Sequence, residues 1–197
     1  MAEIVMIRHG ETEWSATGQH TGVSDISLTV GGERQAYALG AALAGRRFGI
    51  VWCSPRRRAR RTAELAGIDG VVIDDSLSEW DYGGYEGQTT AQISASLGRP
   101  WSLWNDGVVP GETPGETLAD VATRVSDVLE RSRRVLAAGD DVLLVAHGHV
   151  LRVLTTAWLG LPPAAGGLFA LYAGSLSVLG FEHDRPVLTR WNTRPAS

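Results

Sequence analysis

The apolar run "EIVMIR" ends by presenting Arg8 and His9 side by side, with Gly10 behind them. Two later apolar runs end in a similar way: "GIVWC" is followed by Ser54 to Arg58, and "DVLLVA" by His147-Gly148-His149. An arginine fork binds phosphate oxygens through two parallel hydrogen bonds, and histidine adds a donor or a nucleophilic nitrogen. Two arginines and two histidines gathered without an acidic cage make a cationic site, and phosphate is its natural guest. Turning that site into an enzyme takes a proton donor for the leaving group. The segment "LSEWDYGGYEGQT" offers Glu79, Asp81 and Glu86 among aromatic residues and glycines. A carboxyl in such surroundings, beside bound phosphate, is expected to have its pKa raised, which suits a general acid.

The elements that must position these groups read as alternating strands and helices. Strands are expected over 3–8, 49–53, 71–73 and 141–146, and helices over 31–44, 56–66, 114–138 and 149–159. In 114–138, Thr113 is the expected cap, with Pro114 at the first helical position, Glu116 completing a capping box and Gly139 past the end. Leu118, Val121, Val125, Val128 and Leu129 then share one apolar face. The tail from Leu168 alternates like two or three strands, suited to antiparallel edges, while 98–115 reads as a long irregular loop. The pattern predicts an α/β fold: one three-layer domain over 1–197, its mostly parallel central sheet flanked by helices. In open sheets of this kind ligands bind beyond the carboxyl ends of the strands, where Arg8, His9, Arg58 and His147 all fall.

Composition narrows the chemistry further. The chain has 197 residues, 44% hydrophobic and 20% charged, with a net charge of -4 and a pI near 5.7. An acidic balance argues against nucleic acid or an anionic membrane as partner and favours a small molecule. All eighteen basic residues are arginine. A chain without lysine has no Walker A loop, no kinase-type ATP lysine and no Schiff-base chemistry. The single cysteine, Cys53, cannot close an intrachain disulfide, and no apolar run reaches the roughly 18 residues of a bilayer span. A cytoplasmic location is expected, since the N-terminus runs straight into a strand with no basic and apolar leader.

The motifs "MIRHGETEW", "SPRRRARRTAE", "LSEWDYGGYEG" and "VAHGHVLR" resemble, in order and spacing, the histidine phosphatase or phosphoglycerate mutase-like family. The resemblance runs from residue 4 to about 183 and implies the phosphoglycerate mutase-like fold. It implies that His9 attacks phosphorus to form a phosphohistidine, that Arg8, Arg58 and His147 hold the phosphate oxygens, and that Glu79 is the proton donor. The nucleophile must be neutral, with one ring nitrogen free and the other held by a backbone carbonyl. Where many members read Trp-Asn and Gln-Gly, this chain has Trp14-Ser15 and Thr21-Gly22. Ser15 and Thr21, with Gly148, complete the expected phosphate-binding set.

"EWDYGGYEG" and the "YAGSLSVLGFEH" tail look like the branch with acid phosphatases and sedoheptulose bisphosphatases. The proline-rich insertion of cofactor-dependent mutases is missing. A metal-independent acid phosphatase-type phosphomonoesterase without cofactor is therefore expected. Alternatives are a narrow sugar bisphosphatase, a phosphoglycerate mutase, and a non-catalytic phosphate-ligand sensor of the same fold. The partner is a small phosphate ester; a homodimer stays open.

Other residues divide by spacing. Arg58, Thr62 and Leu65 share a helix face, so Arg58 is expected to point inward and Arg57, Arg60 and Arg61 outward. His149 is either a second substrate contact or a helix N-terminal residue. His20 and His183 are expected at the surface, although His20, in the loop after His9, could reach substrate, and Trp101 and Trp104 are expected in the core rather than over the site. A cysteine phosphatase would need Cys-x5-Arg, but that register from Cys53 reaches Ala59. A metal hydrolase could use His147 and His149, yet no suitably spaced carboxylates accompany them.

Overall fold

Strand β1 (Ile4–Arg8) is followed by α1 (Glu13–Thr17), α2 (Val30–Leu43), β2 (Ile50–Cys53), α3 (Arg57–Leu65) and β3 (Val71–Ile73) in the computed structural model, which describes residues 2–195. The chain continues through α4 (Thr90–Leu97), α5 (Leu103–Asp106), α6 (Leu118–Ala137), β4 (Val142–Ala146), α7 (Gly148–Leu159), β5 (Leu176–Glu182) and β6 (Arg185–Thr193). The strands form one sheet in the order β3-β2-β4-β1-β5-β6. The first four run parallel, and β5 and β6 add an antiparallel edge. This is the single α/β domain expected, with helices on both faces.

The two faces bury different sets. Ile4, Met6, Leu144 and Ala146 pack against α6 and α7, while Val5, Ile7, Leu143 and Val145 pack against α2 and α3. Because β1 and β4 are covered on both sides, they read as unbroken apolar runs rather than as alternating ones. That makes them the most legible strands in the chain.

Helix α6 begins four residues later than its expected start. Thr117, not Thr113, is its cap, and Asp120 closes the capping box. The reason is competition for the proposed cap residues. The Thr113 hydroxyl donates to Asp81, and Glu116 accepts from the Asp81 amide and from the Arg124 guanidinium. The segment 98–115 is also not wholly irregular, since Ser102 introduces the short α5, which Gly107 ends at φ +67. Helices α1 and α4, each opened by a threonine capping box, were not expected from the sequence; α1 is too short to show a helical period.

Among the described residues, no helix is long and apolar enough to cross a membrane. Cys53 is fully buried, and burial pushes its thiol pKa up to about 12.

Candidate active site

The parallel ladder between β1 and β4 pairs Arg8 with Ala146, so the residues that follow, His9 and His147, leave the sheet together. The His9 amide donates to the Ala146 carbonyl at 3.0 Å, and the two imidazoles lie edge to face with centroids 5.0 Å apart. The Ser54 amide donates to the Val145 carbonyl and brings the start of α3 to the same rim. Three strand ends separated by up to 138 residues thus meet by hydrogen-bond register alone.

His9 is almost completely buried. Its Nδ1 lies 2.7 Å from the Gly10 carbonyl oxygen, which can only accept, so Nδ1 carries the proton and Nε2 keeps its lone pair. Burial, followed by the charges of Arg58 and Arg8, holds the imidazole pKa well below its ordinary value. Gly10 is required by close approach: a Cβ there would stand 2.3 Å from the Gly32 carbonyl oxygen.

Behind His9, His147 and Arg58 are both fully buried. Arg58 Nε donates to His147 Nδ1 at 3.1 Å, which assigns the His147 proton to Nε2, facing Ser54 Oγ at 2.7 Å. The remaining Arg58 donors reach the carbonyls of Ser24, Thr21 and Gly22. Burial and the charges of Arg58 and His9 keep His147 neutral, its pKa well below the usual one. Arg8 is held by the Leu171 carbonyl, and its buried Nε has no hydrogen-bond partner among the described residues. Gly148 gives the guanidinium room, since a Cβ there would lie 3.2 Å from Arg8 Cζ.

Glu79 sits against the first turn of α7. Its Oε1 accepts from the amides of Trp80 and Val150 at 3.0 and 2.9 Å, and its Oε2 from the amide of His149 at 3.0 Å. Burial alone would raise this carboxyl. The His149 ring and amide and the nearby His147 outweigh it, and the Glu79 pKa lies well below the ordinary carboxylate value. The expectation of a raised pKa is therefore corrected for the unliganded protein. The cause is the amino end of α7, whose amides and dipole favour the anion.

Arg8, His9, Glu79, Tyr82 and His149 open onto a cavity of about 230 Å³, whose lining also includes Ser15 of α1 and Gln19, His20 and Thr21 after it. Ser15 Oγ is engaged in the α1 capping box, accepting from the Thr12 amide and donating to its carbonyl, and Thr21 Oγ1 donates to the Gln19 carbonyl. Arg58 and His147 form the layer behind the cavity, not its wall.

Asp81 and Glu86 are committed elsewhere: Asp81 accepts from Gly83 and Thr113, and Glu86 from the amides of Gly22 and Ser24. Arg57 and Arg60 are exposed, and Arg61 pairs with Glu33 and Glu64. These last three line a larger cleft of about 530 Å³ between α2 and α3, which holds none of the histidines. Among the described residues, no three His, Cys, Asp or Glu side chains gather as a metal-binding group.

His20 is not a surface residue. It is 9% exposed, its ring 4.8 Å from Tyr82 and 5.4 Å from Trp101, and burial lowers its pKa to about 4. His183 is exposed, in the β5–β6 turn at φ +46. Trp101 is buried, and Trp104 packs edge-on against Trp80 under the Arg152 guanidinium. Sequence reasoning passed over Tyr82, whose hydroxyl lies 2.7 Å from His149 Nδ1, and gave no role to Ser54. The available signal for Tyr82 was its place three residues after the candidate acid.

The family model described as histidine phosphatase superfamily, branch 1, matches residues 4–194. The acid phosphatase of Mycobacterium tuberculosis is 41% identical over 182 residues, covering 91% of this chain and 87% of that protein. The sedoheptulose 1,7-bisphosphatase of Saccharomyces cerevisiae is 37% identical over 183 residues, covering 80% and 67%. Among solved structures, an M. tuberculosis protein superposes with a TM-score of 0.91 at 38% identity, over 98% of both chains. The phosphoserine phosphatase of Entamoeba histolytica, in complex with 3-phosphoglyceric acid, gives 0.83 at 27% identity, again over 98% of each.

Proposed function

The chain belongs to the histidine phosphatase superfamily, branch 1, and on that footing we propose that it is an acid phosphatase-type phosphomonoesterase that hydrolyses small phosphorylated metabolites through a phosphohistidine on His9. The observation that carries the reading is the 2.7 Å contact of His9 Nδ1 with the Gly10 carbonyl, an acceptor that assigns the ring proton to Nδ1 and leaves Nε2 as the neutral nucleophile of a residue lining the cavity.

Nε2 attacks phosphorus in line as the ester P–O bond breaks. Arg8, with its unpartnered buried Nε, takes the phosphate oxygens directly, and Arg58 and His147 neutralise charge from behind. Glu79 in its acid form protonates the leaving oxygen. As carboxylate it then takes a proton from the water that attacks the phosphohistidine, and inorganic phosphate leaves. The negative charge of the bound ester raises the Glu79 pKa from its low resting position toward the range this cycle needs. Ser15, Thr21 and Gly148 complete the phosphate surroundings in this reading. No step calls on a metal or a cofactor. The same reading places the enzyme in the cytoplasm, where small phosphate esters are made.

A narrow sugar bisphosphatase is the second reading, favoured by the likeness to the yeast enzyme. Mass spectrometry under non-acidic quench during turnover of p-nitrophenyl phosphate tests the mechanism, with 3-phosphoglycerate and sedoheptulose 1,7-bisphosphate assayed alongside. A phosphate adduct on His9 with release of free phosphate is expected, and His9→Ala should lose both together. Turnover retained in that variant would remove His9 from the role.

A further inference from the structure

The proposed cycle spends a proton from Glu79 in its first half, yet three amides hold that carboxyl as the anion in the free protein. A proton must therefore reach it when the ester arrives. His149 Nδ1 lies 3.8 Å from Glu79 Oε2 and 2.7 Å from the Tyr82 hydroxyl, and all three residues line the cavity.

Resting on the phosphatase reading, we propose that Tyr82 and His149 form a proton-loading pair for Glu79. In the free enzyme the Tyr82 O–H donates to His149 Nδ1. A phosphate dianion in the cavity draws a proton from solvent onto Nδ1, and the Tyr82 hydroxyl rotates from donor to acceptor. The ring then turns its Nδ1–H from Tyr82 onto Oε2, closing the 3.8 Å separation, and the Nδ1–H bond breaks as the Oε2–H bond forms. The nitrogen regains its lone pair, His149 returns to the neutral imidazole, and Glu79 stands as the acid that protonates the leaving oxygen. Tyr82 switches the hydrogen bond without ionising, since burial holds its phenol well above the usual pKa.

The charges facing the pair agree with this order of events. Burial opposes a proton on His149 and Glu79 favours one; with Arg152 and Arg8 added to burial, the balance holds the imidazole pKa below its ordinary value, so the ring is neutral at rest. His20, whose ring is 5.9 Å away, is itself neutral. Around Tyr82, Glu79 and Glu86 oppose Arg8 and Arg58, and His147 faces Glu79 from the N-cap of α7. A dianion beside Arg8 cancels the repulsion that keeps His149 deprotonated. Tyr82 and His149 act through Glu79, and are positioning residues in that sense.

His149→Asn keeps a polar group near the Nδ1 position but cannot relay a proton. Its kcat/KM on an alkyl phosphate such as glycerol phosphate should fall at least about tenfold at pH 7, with p-nitrophenyl phosphate changed far less, because only the alkoxide needs the proton. The alkaline limb of the alkyl phosphate profile should move to lower pH. Tyr82→Phe, which keeps the ring against His20, should move both readouts the same way and serves if the first variant does not fold. Equal losses on both substrates with an unmoved pH profile would overturn the pair. Histidine NMR of the wild-type protein gives a readout free of turnover: saturating inorganic phosphate should raise the His149 titration midpoint, and an unmoved midpoint would overturn the proposal. Failure of the phosphatase reading shows separately, as no His9 adduct in the wild-type quench.

Discussion

The Gly10 carbonyl oxygen stands 2.7 Å from His9 Nδ1, and that one contact decides which nitrogen of the imidazole carries its proton. It is a contact between adjacent residues, kept in place because Gly10 is wedged against Gly32 while its amide donates to Thr62 Oγ1 at 3.0 Å. The tautomer is thus set by backbone packing.

The neutral state of His9 gives a pH prediction. Its pKa is depressed, so the reactive form persists as pH falls below about 6.5, the ordinary histidine value. The acid limb of kcat/KM should lie below that point. Stability carries the opposite consequence. His9, His20, His147 and His149 all have lowered pKa values in the fold, so the unfolded chain binds more protons once pH drops through about 6.5. Each such group steepens the loss by up to about 1.4 kcal/mol per pH unit until its folded pKa is reached. Glu79, also depressed, contributes stability that is present above about pH 4.5 and lost as pH falls further. Thermal melts at pH 7.5, 6.0 and 5.0 should show a falling Tm with activity retained at 6.0; a flat Tm would contradict the neutral cluster.

Glu79→Gln should separate substrates by leaving group. The amide keeps an oxygen for the α7 amides but carries no transferable proton. On alkyl phosphates kcat/KM should drop by about 10² to 10⁴, and on p-nitrophenyl phosphate by much less. Steady-state kinetics on the two esters decides it, and matching losses would point away from Glu79 as the acid.

How much of this was legible in the sequence follows burial. Strands β1 and β4 announce themselves as apolar runs because both their faces are covered, and Arg8, His9 and His147 are readable because they terminate those runs. Arg58 is readable because helical spacing sets it apart from its exposed neighbours. The protonation of Glu79 was not readable, since it depends on amides of α7 about 70 residues away. The start of α6 was misplaced for a like reason: Thr113 and Glu116 spell a capping box locally but spend their hydrogen bonds on Asp81 and Arg124. His20 looked like a surface residue because nothing local shows that Tyr82 and Trp101 cover it.

Gly10→Ala tests the packing beneath His9. The new Cβ would meet the Gly32 carbonyl oxygen at 2.3 Å, backbone against backbone, so neither side can swing away. A loss of about 1–3 kcal/mol is expected, together with reduced turnover as His9 shifts. Gly31→Ala, whose Cβ would meet only side-chain atoms, at 3.3 Å and beyond, should be tolerated. Chemical denaturation of the two variants makes the comparison; equal stability would mean the Gly10–Gly32 approach relaxes freely.

Strand β1 lies between β4 and β5, so both of its hydrogen-bonding neighbours are made long after it. From Ile4 to its partner Val142 the ribosome adds 138 residues, which at about 5–20 residues per second takes roughly 7 to 28 s. During that interval the strand bearing Arg8 and His9 has neither ladder, and His147 has not been translated. The nascent chain carries His9 early but cannot seat it beside His147, so the site is assembled only when the last third of the polypeptide closes the sheet.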